Sequence, residues 1–291
     1  MSSLVHDESA RPGRDACGGD AGTLRRPRFR WSDLWKAPLH DFPMRDEILY
    51  QYLPLSPAMR VIEVGPGSGF TAFRLSRHVE RLTLVDIASD NVRALQQHLA
   101  SRSNVRVACA DVCRPGLAGV VGSGFDTAFA LEVFELLPDP GACLDNFAAV
   151  LREGGTLMVQ FPNYPPPKHK GLTYFRTRDE LDALLGAAGF RDWDVFALTL
   201  RPHAAVLYHE LHERPLRAYR RWRARNTDGM SRSYDGTWAF RQRGRLEPYK
   251  AFLHAYWTAL FAAARLGGAC FARQRLEGEI LGRNLLLVAR R

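Results

Sequence analysis

From residue 60 onward, short runs of β-branched and apolar residues alternate with longer stretches whose apolar positions recur every three or four residues. That alternation is the pattern of strands and helices around a mostly parallel sheet. Seven runs read as strands: 60–64 (RVIEV), 82–86 (LTLVD), 105–111 (VRVACAD), 125–131 (FDTAFAL), 155–161 (GTLMVQF), 194–200 (DVFALTL) and 284–290 (NLLLVAR). Between them, Asp90 is placed to cap a helix running to Leu99, and the helix after Pro140 is expected to end at Gly154-Gly155. Thr177 followed by Glu180 forms a capping box ahead of an apolar face of Leu181, Leu184, Leu185 and Ala188.

The same pattern divides the chain. Residues 1–30 are Gly, Pro, Arg and Asp with almost no apolar periodicity and are expected to be a tail. Residues 31–200 are expected to form an α/β core of Rossmann-like type with an N-terminal cap helix, and 284–291 to complete it. The 83 residues from 201 to 283 are too many for a bare loop in a compact domain, which predicts an inserted helical subdomain.

Composition changes this picture in two places. With 46% hydrophobic and 24% charged residues the chain can build its own core, which excludes disordered and fibrous classes. The net charge of +9 is not spread evenly, because residues 201–250 hold 12 Lys or Arg against 5 Asp or Glu. The five cysteines, at 17, 109, 113, 143 and 270, lack paired C-x-x-C spacing and read as free thiols in a reducing compartment. The N-terminus has no basic start followed by an apolar stretch, and the most apolar run, Ala251 to Ala264, is 14 residues long and contains His254. A cytoplasmic protein is expected.

The first strand leads into Glu63-Val-Gly65-Pro-Gly67-Ser-Gly69, a glycine cluster at the carboxyl end of the sheet, where open α/β folds bind ligands. Asp86 ends the second strand, 17 residues after Gly69, where a carboxylate can accept both hydroxyls of a ribose; Asp111 ends the third, placed to meet an adenine edge. A dinucleotide has to use Gly67-Ser-Gly69-Phe-Thr-Ala72 as its G-x-G-x-x-A, a loose fit. Glu63, a carboxylate on an otherwise apolar strand, instead favours a cationic ligand, and S-adenosylmethionine carries both an ammonium and a sulfonium.

These residues resemble the class I S-adenosylmethionine-dependent methyltransferases over Arg60 to Leu200 and the last strand. The resemblance implies a seven-stranded sheet with the last strand antiparallel. It further implies that Glu63, Gly65, Gly67 and Gly69 lie under the methionine part of S-adenosylmethionine, with Asp86 and the following Ile87 at the ribose. Asp111 and Val112 then border the adenine, and Leu131 closes the site from the fourth strand. Pro38-Leu-His40, Pro43-Met-Arg45 and Leu131-Glu132-Val-Phe-Glu135-Leu-Leu-Pro138 are similar to segments of the ubiquinone-biosynthesis O-methyltransferases. There an arginine matching Arg45 touches the cofactor, and an E-x-x-E-H stretch sits beside the reacting centre and can hold a divalent metal. This chain has Leu136 in place of that His, so no metal is expected.

Methyl transfer needs a base only if the acceptor must lose a proton. Glu132 and Glu135 are the first candidates, Glu135 having the alternative reading of a surface helix carboxylate. His169, in the loop after strand five, is the second. Asn163-Tyr-Pro-Pro resembles the Asn-Pro-Pro-Tyr of amino-group methyltransferases, but its order differs and it follows the wrong strand. The insert interleaves Arg with aromatics, as in Tyr219-Arg-Arg-Trp222-Arg, which suits a phosphate backbone, an anionic membrane surface or a lid over a large acceptor. Its helix from Pro248 to Leu266, with Phe252, Tyr256 and Leu260 on one stripe, reads equally as buried core. Three functions follow: a methyltransferase acting, by O-methylation, on a small apolar or amphipathic acceptor, with peripheral contact to the inner membrane surface; a nucleic-acid methyltransferase; or a protein that holds the cofactor without chemistry.

Overall fold

The computed structural model describes residues 53, 55–67, 69–165, 173–207, 210–211, 214, 218, 263 and 266–291, with the pairs 29–30 and 239–240. Arg45 and the expected cap helix, His169, Cys17, nearly all of the expected tail and most of 201–269 lie outside the described residues.

Eight strands form the main sheet: β1 (Arg60–Val64), β2 (Arg81–Asp86), β3 (Val105–Cys109), β4 (Phe125–Leu131), β5 (Leu151–Asn163), β6 (Asp192–Leu200), β7 (Phe271–Arg275) and β8 (Arg283–Arg290). Their order is β3-β2-β1-β4-β5-β8-β6-β7. The first five pair in parallel, while β8 runs antiparallel between β5 and β6. The chain starts at β1, winds outward to β3 and returns to β4, so the order reverses between β1 and β4. Such a reversal opens a crevice beyond the carboxyl ends of the two strands.

The expected seven strands are all present, and the eighth is β7, which adds antiparallel to the edge of β6 from inside the stretch read as an insert. Its sequence, FARQR, is buried only at its first residue, so it lacks the apolar run that marks a strand covered on both faces. The third strand stops at Cys109, two residues short of Asp111. At the other end of β7's approach, the Arg201 amide donates to the Cys270 carbonyl at 2.8 Å and Arg201 Nε to the Phe271 carbonyl at 3.2 Å.

The central strands are mostly apolar because each buries both faces. Ile62, Val64, Ala128, Ala130, Leu157, Val159, Leu285 and Leu287 pack on one side with helices α4 (Pro140–Val150) and α5 (Arg178–Ala187). Val61, Leu84, Phe129, Leu131, Met158 and Leu286 pack on the other, against α1 (Phe70–Leu75) and α2 (Ser89–His98). The alternation of neighbouring residues between two cores is the two-residue period of a strand.

The helix ends differ in detail from the pattern reading. Asp90 lies inside the first turn of α2, where it pairs with Arg93, and the cap position is Ala88 with no side-chain cap. Helix α4 ends at Val150, and Gly154-Gly155 instead sits in β5, where a Cβ on Gly155 would come within 2.8 Å of the Arg152 carbonyl and the register with β4 shifts. The expected capping box does not form: Thr177 makes no side-chain cap, and Glu180 Oε2 accepts the amide of Arg176, the residue before the cap, at 2.8 Å. Cys113, Cys143 and Cys270 are free thiols, as the spacing suggests, and Cys17 lies outside the described residues.

At the amino end of the sheet Asp126 straps three strands, its Oδ2 accepting the Arg60 amide at 2.8 Å and its Oδ1 the Arg152 Nε at 2.7 Å. Burial alone would raise its carboxyl, but the Arg60 hydrogen bond and the Arg152 guanidinium together hold it below the ordinary carboxylate range. A group lowered in this way stabilises the fold above its unfolded value, about 4, and the contribution fades as pH falls through the folded value. Asp126→Asn is therefore expected to melt below the parent at neutral pH, with the gap closing on acidification below about pH 4. Melting curves with a constant gap across that range would show that charge plays no part in the strap.

Candidate functional site

The crevice between β1 and β4 is built from the glycine loop. The Gly65 amide donates to the Val85 carbonyl at 2.8 Å, and the Gly69 amide donates to the Pro66 carbonyl at 2.9 Å, closing the turn. Gly65, Gly67 and Gly69 all have positive φ, at 66°, 55° and 75°. Their surroundings differ. A Cβ on Gly65 would fall 2.3 Å from Val133 and one on Gly69 2.5 Å from Leu95, whereas one on Gly67 meets nothing within 4 Å. Two of the glycines are thus required by packing, and the third borders open space.

Glu63, one residue before the end of β1, is 1% exposed and flanked across the sheet by Leu84 and Phe129. A carboxylate held in such surroundings carries a desolvation cost that favourable partners must offset.

Asp86 ends β2 beside the loop. Its Oδ1 accepts the Ala88 amide at 2.9 Å and its Oδ2 accepts Asn91 Nδ2 at 2.5 Å, which fixes the plane of the carboxylate. Ile87, next in the chain, is 40% exposed. The Ala110 amide donates to the Asp86 carbonyl at 3.1 Å, bringing the end of β3 alongside. Beyond it, Asp111 turns its Oδ1 to the Cys113 amide at 3.0 Å and its Oδ2 toward Arg114 at 3.6 Å. Val112 is buried, and its carbonyl accepts Asn146 Nδ2 at 2.9 Å. Asn146 also donates to the Arg114 carbonyl and accepts the Leu117 amide, so one buried side chain holds the whole 112–117 loop.

On the other side of the crevice, Leu131 packs in the core at the tip of β4, and the chain then turns sharply. Glu132 makes that turn with φ 54°, which no other non-glycine among the described residues shares. Its amide donates to the Gln160 carbonyl at 2.7 Å, and the residue is exposed. Left-handed backbone at a residue with a Cβ costs about 1–2 kcal/mol, and such strain concentrates at functional positions. Glu135 follows on a single 3₁₀ turn, Phe134–Leu136, and is 3% exposed, so the alternative of a surface helix carboxylate does not hold. Its carbonyl accepts the Thr173 amide at 3.1 Å, and Thr173 Oγ1 donates to the Leu137 carbonyl at 2.6 Å.

The structure therefore gathers Glu63, the three glycines, Asp86, Ile87, Asp111, Val112, Leu131 and Glu132 at one end of the sheet. Asn163 is buried at the end of β5 with its amide spent on the Phe175 amide and carbonyl and the Ile280 carbonyl, at 2.8 to 2.9 Å. It is a loop clamp, in keeping with its dismissal as a catalytic signature. Asn91 and Asn146 are the residues that pattern reasoning missed. The signal for Asn91 was its place in the first turn of a helix that begins three residues after Asp86.

A model of a methyltransferase domain matches residues 62–159. The ubiquinone biosynthesis O-methyltransferase of Xanthomonas euvesicatoria is 32% identical over 140 residues, which cover 47% of this chain and 58% of that protein. The protein-L-isoaspartate O-methyltransferase of Rhizobium meliloti is 40% identical over 114 residues, covering 38% and 51%. The chain thus spans about half the length of these curated relatives, whose names carry different acceptors. Among solved structures, Haemonchus contortus phosphoethanolamine N-methyltransferase 2 in complex with S-adenosyl-L-methionine superposes with a TM-score of 0.52 at 13% identity, over 89% of this chain and 56% of that one. The StiE O-MT gives 0.51 at 16%, over 91% and 83%. At these identities the likeness is one of fold.

Proposed function

Since the core of this chain is a class I S-adenosylmethionine-dependent methyltransferase domain, we propose that the protein transfers a methyl group from that cofactor to a hydroxyl oxygen of a small apolar or amphipathic acceptor. The observation that carries the reading is the pairing of two features across one crevice. On one side lies Asp86, fixed beside an open glycine turn; on the other lies Glu132, held exposed on strained backbone. The open space at Gly67 fits the methionine part of the cofactor, the Asp86 carboxylate fits ribose hydroxyls, and Glu63 supplies negative charge on the strand beneath. S-adenosylmethionine, when bound, supplies a methyl carbon already activated by its sulfonium, which leaves alignment of the reactants to the protein. Glu132 then accepts the hydroxyl proton, and Glu135, buried below, shapes the turn that presents it.

The relatives that share the E-x-x-E stretch suggest O-methylation. A divalent metal does not fit the donors present: Glu132 is exposed, Glu135 buried, and Leu136, 49% exposed, offers no ligand. Among the described residues no three His, Cys, Asp or Glu side chains come together at a metal-binding distance. Activity is expected to be unchanged by EDTA; loss restored by Mg²⁺ would show that the two glutamates recruit other ligands.

For the acceptor, the +7 segment 201–250 supports docking against an anionic headgroup or phosphate. No helix among the described residues is long and apolar enough to cross a membrane. Methyl-labelled S-adenosylmethionine incubated with the protein and lipid, quinol or RNA fractions tests the reading, with label expected as a methyl ether in one of the first two. Anionic and neutral liposomes and a salt titration of RNA binding, run in parallel, separate the surfaces. RNA affinity falling steeply with salt, without preference for anionic vesicles, would move the acceptor to nucleic acid. Cofactor binding with no transfer to any fraction would leave a non-catalytic binding protein.

A further inference from the structure

We propose that Asn91 is a positioning residue for the cofactor, locking the ribose-binding carboxylate of Asp86 to the glycine loop through its side-chain amide. The inference rests on the cofactor site proposed above and assigns a role within it to a residue that neither touches the reacting atoms nor belongs to the glycine loop.

Asn91 Nδ2 donates to Asp86 Oδ2 at 2.5 Å and to the Gly67 carbonyl at 3.0 Å. Both partners are acceptors only, so the amide can face them only with its NH₂ group, and the two hydrogens of that group are both engaged. The three residues come from three elements, the end of β2, the first turn of α2 and the β1–α1 loop. Without Asn91, the second carboxylate oxygen of Asp86 loses this donor, and the Gly67 peptide, in a left-handed conformation above open space, loses its anchor. Oδ1 accepts the Ala88 amide, and the Asn91 bond on Oδ2 adds a second point of attachment that restricts the rotation of the carboxylate. A carboxylate that accepts ribose hydroxyls must hold that rotation, because an acceptor already aligned loses no freedom when the ligand arrives.

The chemistry also says which substitution breaks the device in a readable way. In Asn91→Asp, two carboxyls face each other at the distance now spanned by one hydrogen bond, and like charges so close cannot both ionise; they share a proton. With that proton present, the new carboxyl donates its single hydrogen to Asp86 and restores that half of the lock, leaving the Gly67 carbonyl without this donor; without it, the two repel. Among the described residues, the neighbouring carboxylates do not supply that donor. Asp90 pairs with Arg93 on the exposed side of α2, Asp111 faces Arg114 past the end of β3, and Glu63 is buried within β1.

The test is calorimetric binding of S-adenosylhomocysteine to the full chain, so that no acceptor or turnover is needed, with thermal melting of each variant alongside. Asp86→Ala is expected to weaken binding by tenfold or more, which checks the site itself. Asn91→Ala is expected to weaken it by about tenfold with little change in melting. Asn91→Asp is expected to bind weakly near pH 8 and to recover part of the lost affinity as pH falls to about 6, while the parent stays level across that range. Parent-like affinity in Asn91→Ala, or an Asn91→Asp variant whose affinity does not follow pH, would overturn the assignment while leaving an Asp86-dependent site standing. Parent-like affinity in Asp86→Ala would remove the ribose site and the role of Asn91 with it.

Discussion

Gly67→Val is expected to bind S-adenosylmethionine at least a hundredfold more weakly than the parent while remaining folded. A Cβ at this position meets no atom of the described residues within 4 Å, so the two added methyls project over the turn rather than into the core. The protein bears only the strain of a β-branched residue at φ 55°, about 1–3 kcal/mol, which a domain of this size can carry. The ligand meets the full obstruction. Its two neighbours should behave in the opposite way. Gly65→Ala drives a Cβ to 2.3 Å from Val133, and Gly69→Ala drives one to 2.5 Å from Leu95, which is 1% exposed. Overpacking of that kind adds about 1–3 kcal/mol to the backbone strain, so both variants should melt well below Gly67→Val. Calorimetry and melting on the three together read the difference; unchanged affinity in Gly67→Val would show that the cofactor does not lie on this turn.

Glu132→Gln is expected to lower kcat by about 10² to 10⁴ with the affinity for S-adenosylhomocysteine intact, because the amide keeps the shape and loses the base. The backbone makes a second, independent expectation. Glycine adopts φ 54° without the Cβ penalty, so Glu132→Gly should match or exceed the parent in stability while losing turnover to the same degree. A residue that weakens the fold and serves the reaction would then be seen doing both. Turnover close to the parent in Glu132→Gln would mean that the acceptor arrives already ionised or that the base lies elsewhere in the chain.

Much of this arrangement was legible beforehand, and the exceptions have physical causes. Strands β1, β2, β4 and β5 announced themselves because both faces are covered, leaving little room for polar residues; of the five that are buried there, Glu63, Thr83, Thr127, Gln160 and Asn163, only Glu63 carries a charge, and it lies one residue from the crevice end of its strand. Asp86 could be placed from its position at a strand end. Strand β7 could not, because an edge strand with one buried residue has the composition of a loop. Gly154-Gly155 looked like a helix end because glycine marks any place where side chains cannot fit, and here the obstacle is a sheet irregularity. Asn91 and Asn146 were invisible for a related reason: a polar residue on a helix is ordinary, and only the carbonyls it meets across the fold make it a clamp.

The hydrogen bond between the Arg201 amide and the Cys270 carbonyl makes the two ends of the intervening segment nearly coincide. The described residues after Arg201 still belong to the core, where Ala204 is buried, before the chain comes back to Cys270. By the general length dependence of loop closure, joining two such ends through roughly seventy residues rather than about four costs only about 2.5 kcal/mol more, so lineages could lengthen, shorten or exchange the segment beyond Ala204 at small cost to the sheet. Acceptor choice and cofactor use would then evolve on separate clocks, and a short turn joining Ala204 to Cys270, with Phe271–Arg275 retained to cover the edge of β6, gives the cofactor domain in its minimal form.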